Sequence, residues 1–420
     1  MKFLYQLFIL LYSLAAKLIA PFNSKARFWV LGRKHIFGEL SKVFANEKRP
    51  VIWIHCSSLG EFEQGLPVAE QLKKTYQTHF ILITFFSPSG YSVQKNNPVA
   101  NYVSYLPMDS KKNASKFLQI VQPRLTIFIK YEFWHNYLVA LHTKNIPTLL
   151  VSAIFRKDQV FFKWYGEFYR NILSNFSYFF VQDDASKLLL ESIGFNKIIA
   201  VTGDTRFDRV IEIANQFKPN NIIEKFCAND PIIIAGSTWS EDDKALHHFA
   251  IANKYIKFII APHDIEKERL DECLQFYPEA ILYSNYQTAI TENVNKSYRT
   301  LIIDNMGMLS SLYYYATIAF IGGGFTEEGV HNTLEASVHG VPVVFGPVYD
   351  KYLEAINLIE IGGAFTAFNL IELETILNDL LSDQQKRKSA GAAALKFVVD
   401  HSGSTIKIMD YIQENRLLIK

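Results

Sequence analysis

Residues 51–61 read VIWIHCSSLGE, and residues 316–335 read ATIAFIGGGFTEEGVHNTLE. Each stretch predicts a buried strand that runs into a tight glycine turn, with a carboxylate beyond the turn. Ligands of open α/β sheets bind at the carboxyl ends of the strands. Two such stretches, one in each half of the chain, therefore predict a substrate cleft between two domains, with a lone acid on one side and a nucleotide site on the other.

The composition is that of a globular protein with more than one core. The chain has 420 residues, of which 49% are hydrophobic and 20% charged, and this length favours two domains. The formal net charge is +2, so the sequence lacks the excess of positive charge that is typical of nucleic-acid-binding proteins. The three cysteines, Cys56, Cys227 and Cys273, have neither a disulfide nor a zinc spacing, which favours a reducing compartment.

The amino terminus departs from this pattern. Residues 3–22 are almost all apolar and include Lys17, and a basic stretch follows at residues 25–34. The positive charges come mainly after the apolar run and no cleavage site follows, so the segment does not fit a signal peptide. We expect an interfacial helix with a basic flank that favours anionic lipid on the cytoplasmic face. The alternative is a buried first helix of a soluble domain.

Strand and helix patterns alternate along the rest of the chain, which predicts parallel sheets with right-handed crossovers. The apolar, β-branched and aromatic runs predict strands at Val51–His55, Phe80–Thr84, Leu125–Ile129, Thr148–Val151, Ser177–Val181, Ile198–Thr202, Ile232–Ala235, Phe258–Ala261, Ala280–Tyr283, Thr300–Ile303, Ile318–Ile321 and Val343–Phe345. The polar segment 215–230 is the best linker candidate. The predicted division is a membrane-associated helix over 1–24, Rossmann-like domains over 25–214 and 215–405, and a helix over 406–420 that packs back on the first domain.

Polar residues after the first-half strands are candidates for acceptor chemistry. Glu61 precedes a helix predicted to open at residues 64–67, and helix N–H groups favour the ionised carboxylate that a general base requires. A plain helix cap is the alternative for Glu61, and Ser58 can cap the same helix. The turn that contains Ser87 can hold an anion, or is a simple β-to-α turn.

Two further groups in the first half carry charge at strand ends. Lys130 suits a carboxylate or phosphate, and Glu132, among aromatic residues, suits sugar hydroxyls. An internal Lys130–Glu132 ion pair is the alternative. Arg206 follows the last strand of the first half, at the predicted domain junction, where it can reach the cleft.

The glycine turn of the second half predicts an anion site. Three glycines permit close approach of the backbone, and the N–H groups of a helix predicted over Thr333–His339 point at the anion. Glu335 is expected to bind the hydroxyls of a ribose, and a capping box with Asn332 is the alternative. Ser237-Thr238 and Pro262-His263 end two neighbouring strands and can complete the pocket.

These pieces, taken in order, resemble the 3-deoxy-D-manno-octulosonic acid (Kdo) transferases of lipopolysaccharide synthesis over essentially the whole chain. Besides the apolar amino terminus, the matching motifs are SxGE at Ser58–Glu61, with Gly60 its third residue, YLPxD at Tyr105–Asp109, ExWxN at Glu132–Asn136, VTG at Val201–Gly203, MG at Met306-Gly307 and HNxLE at His331–Glu335. Some positions depart from the commoner family pattern: Lys130 replaces an acid, His263 an arginine and Met308 a glutamate.

The resemblance implies a GT-B glycosyltransferase, with two Rossmann-like domains facing a cleft. It would move Kdo from CMP-Kdo to a lipid A precursor, with inversion, at the cytoplasmic face of the inner membrane and without a metal or other cofactor. Glu61 matches the general base. The positions that match CMP-contacting segments are Pro262, His263, Met306, Gly307, Met308, Asn332, Thr333, Leu334 and Glu335.

Two other functions fit parts of the pattern. One is a different GT-B transferase that uses a UDP-sugar on a lipid-linked acceptor. The other is a membrane-bound module that binds a nucleotide sugar without catalysis, which the strand–turn–helix setting of Glu61 disfavours. An NAD-dependent enzyme is disfavoured as well, because no GxGxxG follows the first strand.

Overall fold

The computed structural model describes residues 1–277, 279–292 and 297–419. It divides the chain into two compact units, Met1–Arg209 with the segment from Ser402 onward, and Val210–His401. We call them the N-terminal and the C-terminal domain. Each is built on a seven-stranded sheet.

The sheet of the N-terminal domain is parallel and has the order β3-β2-β1-β4-β5-β6-β7. Its strands are β1 Val51–Cys56, β2 Phe80–Phe85, β3 Tyr102–Tyr105, β4 Pro123–Ile129, β5 Thr148–Ala153, β6 Tyr178–Val181 and β7 Ile199–Val201. Strands β1, β2 and β5 are buried along their whole length, as expected when helices cover both faces of a parallel sheet. The strand order reverses between β1 and β4, so the connections that leave their neighbouring carboxyl ends run in opposite directions.

The described part of this domain contains eleven α-helices, of which α10 begins here and continues into the C-terminal domain. They are α1 Lys2–Ile19, α2 Ser24–Leu31, α3 Ile36–Phe44, α4 Leu59–Thr75, α5 Pro88–Gln94, α6 Lys111–Val121, α7 His135–Thr143, α8 Glu167–Leu173, α9 Asp184–Glu191, α10 Thr205–Asn215 and, at the C terminus, α20 Ser404–Glu414. Helix α20 returns to pack beside α4, with Ile408 and Ile412 in the core below the sheet. The N–H of Gly403 also donates to Asp208.

Helix α1 touches the N-terminal domain along one stripe only. The hydroxyl of Tyr5 donates to Asp109 at 2.6 Å, Ile9 is buried, and the ring of Tyr12 packs on Trp29 and Phe86. Most of its other apolar side chains are exposed, including Phe3 and Leu18 at 74% and 75%. Among the described residues, α1 is the one helix long and apolar enough to cross a membrane.

The sheet of the C-terminal domain is also parallel, in the order β10-β11-β9-β8-β12-β13-β14. Its strands are β8 Ile232–Thr238, β9 Lys257–Pro262, β10 Ala280–Leu282, β11 Thr300–Ile302, β12 Ile318–Ile321, β13 Val343–Phe345 and β14 Ala364–Thr366. Its helices are α11 Asn221–Cys227, α12 Ser240–Ala252, α13 Lys267–Phe276, α14 Tyr283–Thr291, α15 Leu309–Leu312, α16 Leu334–Ser337, α17 Leu353–Glu360, α18 Leu370–Ser382 and α19 Gln384–Asp400. The order reverses between β8 and β12.

Three sequence-based expectations about local structure are wrong. Helix α4 begins at Leu59, so Gly60 is helical and does not form a tight turn. The proposed linker contains α11, because Asn220 caps this helix and Ile223 and Phe226 are buried. Helix α16 has four residues instead of the seven expected. The short strands β3 and β14 were missing from the sequence-based assignment.

The returning helix α20 provides a stability test of the N-terminal domain. Ile408 is fully buried, whereas Ile406, two residues earlier, is 66% exposed. We expect Ile408→Ala to lower the free energy of unfolding by about 2–5 kcal/mol through lost burial and a cavity, and Ile406→Ala by less than about 0.5 kcal/mol. Urea unfolding followed by tryptophan fluorescence measures both. Equal effects of the two variants would contradict the packing of α20.

Candidate functional site

The predicted acceptor-side residues gather where the N-terminal sheet reverses its order. Glu61 follows β1, and Lys130 and Glu132 follow the adjacent strand β4. Ser87 follows β2, the other neighbour of β1. The backbone N–H of Ser87 donates to the carbonyl of Ser57 at 2.7 Å, which ties the two loops together. Such a reversal point is where ligands bind in open α/β sheets.

Glu61 forms a capping box with Ser58 at the start of α4. Its Oε2 accepts hydrogen bonds from the backbone N–H of Ser58, at 3.1 Å, and from the Ser58 hydroxyl. The cap expected as an alternative is therefore present. Both bonds go to Oε2, and no hydrogen bond to Oε1 is found within the described part of the chain. The cap fixes the orientation of the carboxylate and leaves Oε1 available to take a proton.

Glu132 is buried and held by two aromatic side chains. His55 Nε2 lies 2.9 Å from Glu132 Oε2, and the indole N–H of Trp134 donates to the same oxygen. His55 Nδ1 lies 2.8 Å from the hydroxyl of Thr84. Glu132 thus has partners other than Lys130, and the two do not form the expected alternative ion pair. The buried His55 was not singled out from the sequence, where it is one polar residue inside an apolar strand.

Backbone strain marks the same edge of the sheet. Lys130 has φ +66° and Ser152, at the end of the adjacent strand β5, has φ +52°. Side-chain-bearing residues adopt this left-handed region at a cost of about 1 kcal/mol or more, and such strain clusters at functional sites. The Lys130 ammonium lies 5.3 Å from the centre of the Tyr131 ring. Lys130 is therefore a cation presented at the carboxyl end of β4.

Arg206 is oriented by a buried carboxylate. Its guanidinium donates to Asp204 Oδ2 at 2.9 Å, through both Nε and Nη2, and its backbone N–H donates to Oδ1. The side-chain amide of Gln64, on α4, donates to the same carboxylate at 2.8 Å. Helix α4, which carries Glu61, is thus connected to Arg206 through one buried acid. The roles of Asp204 and Gln64 were not predicted from the sequence.

In the C-terminal domain the glycine turn after β12 serves packing more than anion binding. The N–H groups of Gly323 and Phe325 donate to the buried carboxylate of Asp242, at 2.7 and 3.4 Å. A Cβ on Gly322 would lie 2.3 Å from the carbonyl oxygen of Ser237. A protein carboxylate therefore occupies two of the turn's N–H groups, and the close backbone approach that the glycines permit is, at Gly322, an approach to β8. Burial raises the pKa of Asp242 to about 6.

Three stacked rings stand at the ends of β8, β9 and β12. The His263 ring stacks over the Trp239 and His331 rings, which lie side by side, and its centre is 4.6 Å from the centre of each. The indole N–H of Trp239 donates to His331 Nε2 at 3.0 Å. Burial, aided by the neighbouring His263, lowers the pKa of His331 to about 4. The stack thus contains a neutral His331 at pH 7 and an exposed His263.

Glu335 interacts with Asn332, but not as the helix cap that was the alternative. The Asn332 amide donates to Glu335 Oε1 at 2.9 Å, and Asn332 Oδ1 accepts from the N–H of Leu334 at 3.2 Å. Thr333 and Leu334 are fully buried, backbone and side chain alike, so neither is exposed to a ligand in this structure. The four-residue α16 has too few aligned peptide units for the expected helix dipole.

The other predicted donor-side residues also follow strands of this sheet. Ser237 has φ +56° at the end of β8, beside the buried Thr238. Pro262 ends β9 and is buried. Met306 and Gly307 are exposed in the loop after β11, and Met308 caps α15. Among the described residues, no group of three or more His, Cys, Asp or Glu side chains could hold a metal ion.

Comparisons with known proteins show which proteins this chain resembles in sequence and in fold. Residues 32–209 match the family model described as 3-deoxy-D-manno-octulosonic-acid transferase (kdotransferase). The Kdo transferase of Haemophilus influenzae is 26% identical over 373 residues, 86% of each chain. That of Aquifex aeolicus is 27% identical over 362 residues, 84% of this chain and 93% of its own.

Solved structures agree on the fold. The UDP-GlcNAc 2-epimerase of Neisseria meningitidis, bound to UDP-GlcNAc, has a TM-score of 0.56 at 16% identity and covers 85% of this chain and 100% of its own. That of Methanocaldococcus jannaschii has a TM-score of 0.53 at 17% identity, with 87% and 100% covered. At this identity the likeness shows the fold alone.

The two parallel-sheet domains place the protein in the GT-B class, as the sequence predicted. The chain is similar to the Kdo transferases over most of its length, so the resemblance seen in the sequence is confirmed. It is a glycosyltransferase related to the Kdo transferases of lipopolysaccharide biosynthesis.

The depressed pKa of His331 can be measured directly. A histidine that is buried in its neutral form must charge as the pH falls, so its contribution to stability is present above the unfolded pKa of about 6.5 and is lost as the pH falls through about 4. We expect the unfolding free energy of the wild type to fall relative to His331→Gln between pH 6.5 and 4. A parallel pH dependence of the two proteins would show that His331 is not held neutral.

Proposed function

We propose that the chain transfers Kdo from CMP-Kdo to a lipid A precursor of the lipid IVA type, with inversion at the anomeric carbon. The observation that best supports this proposal is the position of the Glu61 carboxylate, where the strand order of the N-terminal sheet reverses. Hydrogen bonds from Ser58 hold its Oε2, and its Oε1 is left to accept a proton. A direct displacement needs one base on the acceptor side, and this carboxylate supplies it.

The proposed step balances as a single displacement. Glu61 Oε1 takes the proton of the acceptor hydroxyl, whose oxygen forms a bond to the anomeric carbon of Kdo. The bond from that carbon to the phosphate oxygen breaks, and CMP leaves with the electron pair. Lys130 and Arg206 are the cations near Glu61 that would hold the Kdo carboxylate or an acceptor phosphate. We propose that no metal takes part.

Gly60 supports substrate approach beside Glu61. Its φ lies outside the left-handed region, and a Cβ built on it meets only the Ser58 hydroxyl, at 3.8 Å, in the described part of the chain. Glycine inside a helix costs about 1 kcal/mol relative to alanine. Because the local packing does not require a glycine here, we attribute it to close approach of the acceptor to the start of α4.

On the donor side, we propose that the cytidine base stacks on the exposed His263, whose ring continues the stack with Trp239 and His331. The Glu335 carboxylate, positioned by Asn332, is the proposed partner of the ribose hydroxyls. Met306, Gly307 and Met308 lie in a loop at the same end of the sheet and would flank the nucleotide. Ser237 would approach it through the strained end of β8.

The proposed location is the cytoplasmic face of the inner membrane. The acceptor is a phosphorylated lipid, and the exposed apolar face of α1 offers a large surface for a bilayer. The basic residues 25–34, which follow α1, would favour the anionic cytoplasmic leaflet.

The decisive assay follows Kdo transfer from CMP-Kdo, generated in situ, to tetraacyl lipid A precursor by mass spectrometry of the lipid. The donor forms first in the same vessel, and EDTA is added together with the transferase. We expect the precursor to gain at least one Kdo with EDTA present. No gain from CMP-Kdo, but a gain from a UDP-sugar, would favour the alternative transferase.

Replacing the proposed base should separate chemistry from binding. We expect Glu61→Gln to lower kcat by about 10²–10⁴-fold, because an amide cannot take the proton, and to leave the Kd for CMP within about twofold. Glu63→Gln, two residues along the same helix, is the matched control and should retain turnover. Near-normal kcat in Glu61→Gln would remove Glu61 from the mechanism.

Gly60→Ala tests the approach of the acceptor. Alanine favours the helix, so the free energy of unfolding should rise by roughly 0.5–1 kcal/mol. The KM for the acceptor should rise at least about tenfold, while the KM for CMP-Kdo stays unchanged. A variant with raised stability and an unchanged acceptor KM would show that the acceptor does not approach Gly60.

A further inference from the structure

A cavity of about 930 Å³ lies in the N-terminal domain, away from the residues assigned to catalysis. Its walls come from α1, α2, α3 and the segment between β3 and α6. Glu61, Lys130, Glu132 and Arg206 are not among its lining residues. The volume is in the range of sites for small organic ligands. Its occupant would therefore be something other than the reacting groups.

The lining of the cavity is strongly basic. Four cations line it, Lys17, Arg33, Lys34 and Lys42, against the single carboxylate of Glu39 on the same wall. Lys34 and Lys42 are exposed, and no ion pair is found for either among the described residues. An excess of positive charge at a concave surface selects an anionic ligand.

Arg33 differs from the exposed lysines of the cavity because its guanidinium is buried and bound to backbone carbonyls. Its guanidinium donates to three backbone carbonyls, through Nε to Leu106 at 2.9 Å, Nη1 to Trp29 at 3.2 Å and Nη2 to Phe86 at 2.7 Å. No carboxylate pairs with it in the described part of the chain. Burial lowers the pKa of Arg33 to about 9, which still leaves it charged at neutral pH. The rings of Trp29, Phe86 and Tyr105 also lie 4.2, 5.0 and 4.7 Å from its guanidinium carbon. These contacts hold the cation in place without neutralising its charge, so an anion that approaches it gains a charge partner.

Much of the rest of the lining is apolar and lies beside α1. Trp29, Ile36, Phe37 and Met108 contribute to the wall, and α1 contributes Ser13 and Lys17. The opposite face of α1 exposes its apolar side chains. The cavity thus combines charge and apolar surface beside the helix that faces lipid, which suits a molecule with an anionic head and an acyl chain.

We infer that this cavity binds the phosphodiester headgroup of an acidic glycerophospholipid from the bilayer. The phosphate lies among Arg33, Lys34 and Lys42, and the start of an acyl chain lies along Trp29 and α1. The phosphate of the lipid acceptor has related chemistry. The ring of Phe86, however, packs on Trp29 on one side and on Trp134, beside Glu132, on the other. It separates the cavity from the proposed catalytic residues, which favours a bilayer lipid.

The test uses the full chain in uncharged detergent, titrated with dioleoyl phosphatidylglycerol or dioleoyl phosphatidylcholine and examined by native mass spectrometry. We expect one phosphatidylglycerol to be retained and phosphatidylcholine to be lost. Lys34→Gln/Lys42→Gln should weaken retention by about tenfold or more. Lys73→Gln/Lys74→Gln, which removes the same charge from the exposed end of α4 away from the cavity lining, is the matched control and should retain the lipid.

Three outcomes would overturn the inference. Equal retention of the two lipids would show that charge is not recognised, and equal losses in both double variants would show unspecific attraction. Displacement of phosphatidylglycerol by tetraacyl lipid A precursor, with a raised acceptor KM in Lys34→Gln/Lys42→Gln, would assign the cavity to the acceptor. Lipid retention is measured without turnover, so a failure of the proposed transfer reaction leaves this result interpretable.

Discussion

Buried carboxylates that accept hydrogen bonds from neighbouring loops hold the strand ends of both domains in place. Asp109 accepts from the backbone N–H groups of Asn136 and Tyr137 as well as from Tyr5. Asp242 does the same for the turn after β12. A buried charge is tolerated only when such donors surround it. Each carboxylate therefore fixes a loop geometry that few other arrangements would satisfy, and the candidate sites are built on these loops.

The sheets were predictable from the sequence, and the details of the loops were not. Fully buried parallel strands are continuous apolar stretches in the sequence. The bounds predicted for Ile318–Ile321 therefore agree with those of the strand in the structure, and those of most other strands agree to within one or two residues. The sequence predicts the start of α4 at residues 64–67, which is too late, because the Ser58–Glu61 capping box begins the helix at Leu59. The local sequence around a residue does not show which carboxylate, distant in sequence, will accept a hydrogen bond from the backbone N–H of that residue.

The same limit applies to the candidate sites. Glu61 and the residues around His331 could be identified because they sit in recognisable strand–turn motifs. Asp204, Asp242 and His55 could not, because each acts through a residue distant in sequence: Gln64, Gly323 and Glu132. Those pairings arise from the topology of the sheets. Local patterns therefore predict which loops form a site, and long-range hydrogen bonds decide how its side chains are oriented.

The return of α20 has a consequence for synthesis of the chain on the ribosome. Residues from Ser402 onward complete the core beneath the N-terminal sheet, and Ser404 donates to the carbonyl of Thr202. Domains usually fold in the order in which they emerge. Here the first domain to emerge lacks part of its core until the last residues leave the exit tunnel. The C-terminal domain, contiguous in sequence, can therefore be finished before the domain that precedes it.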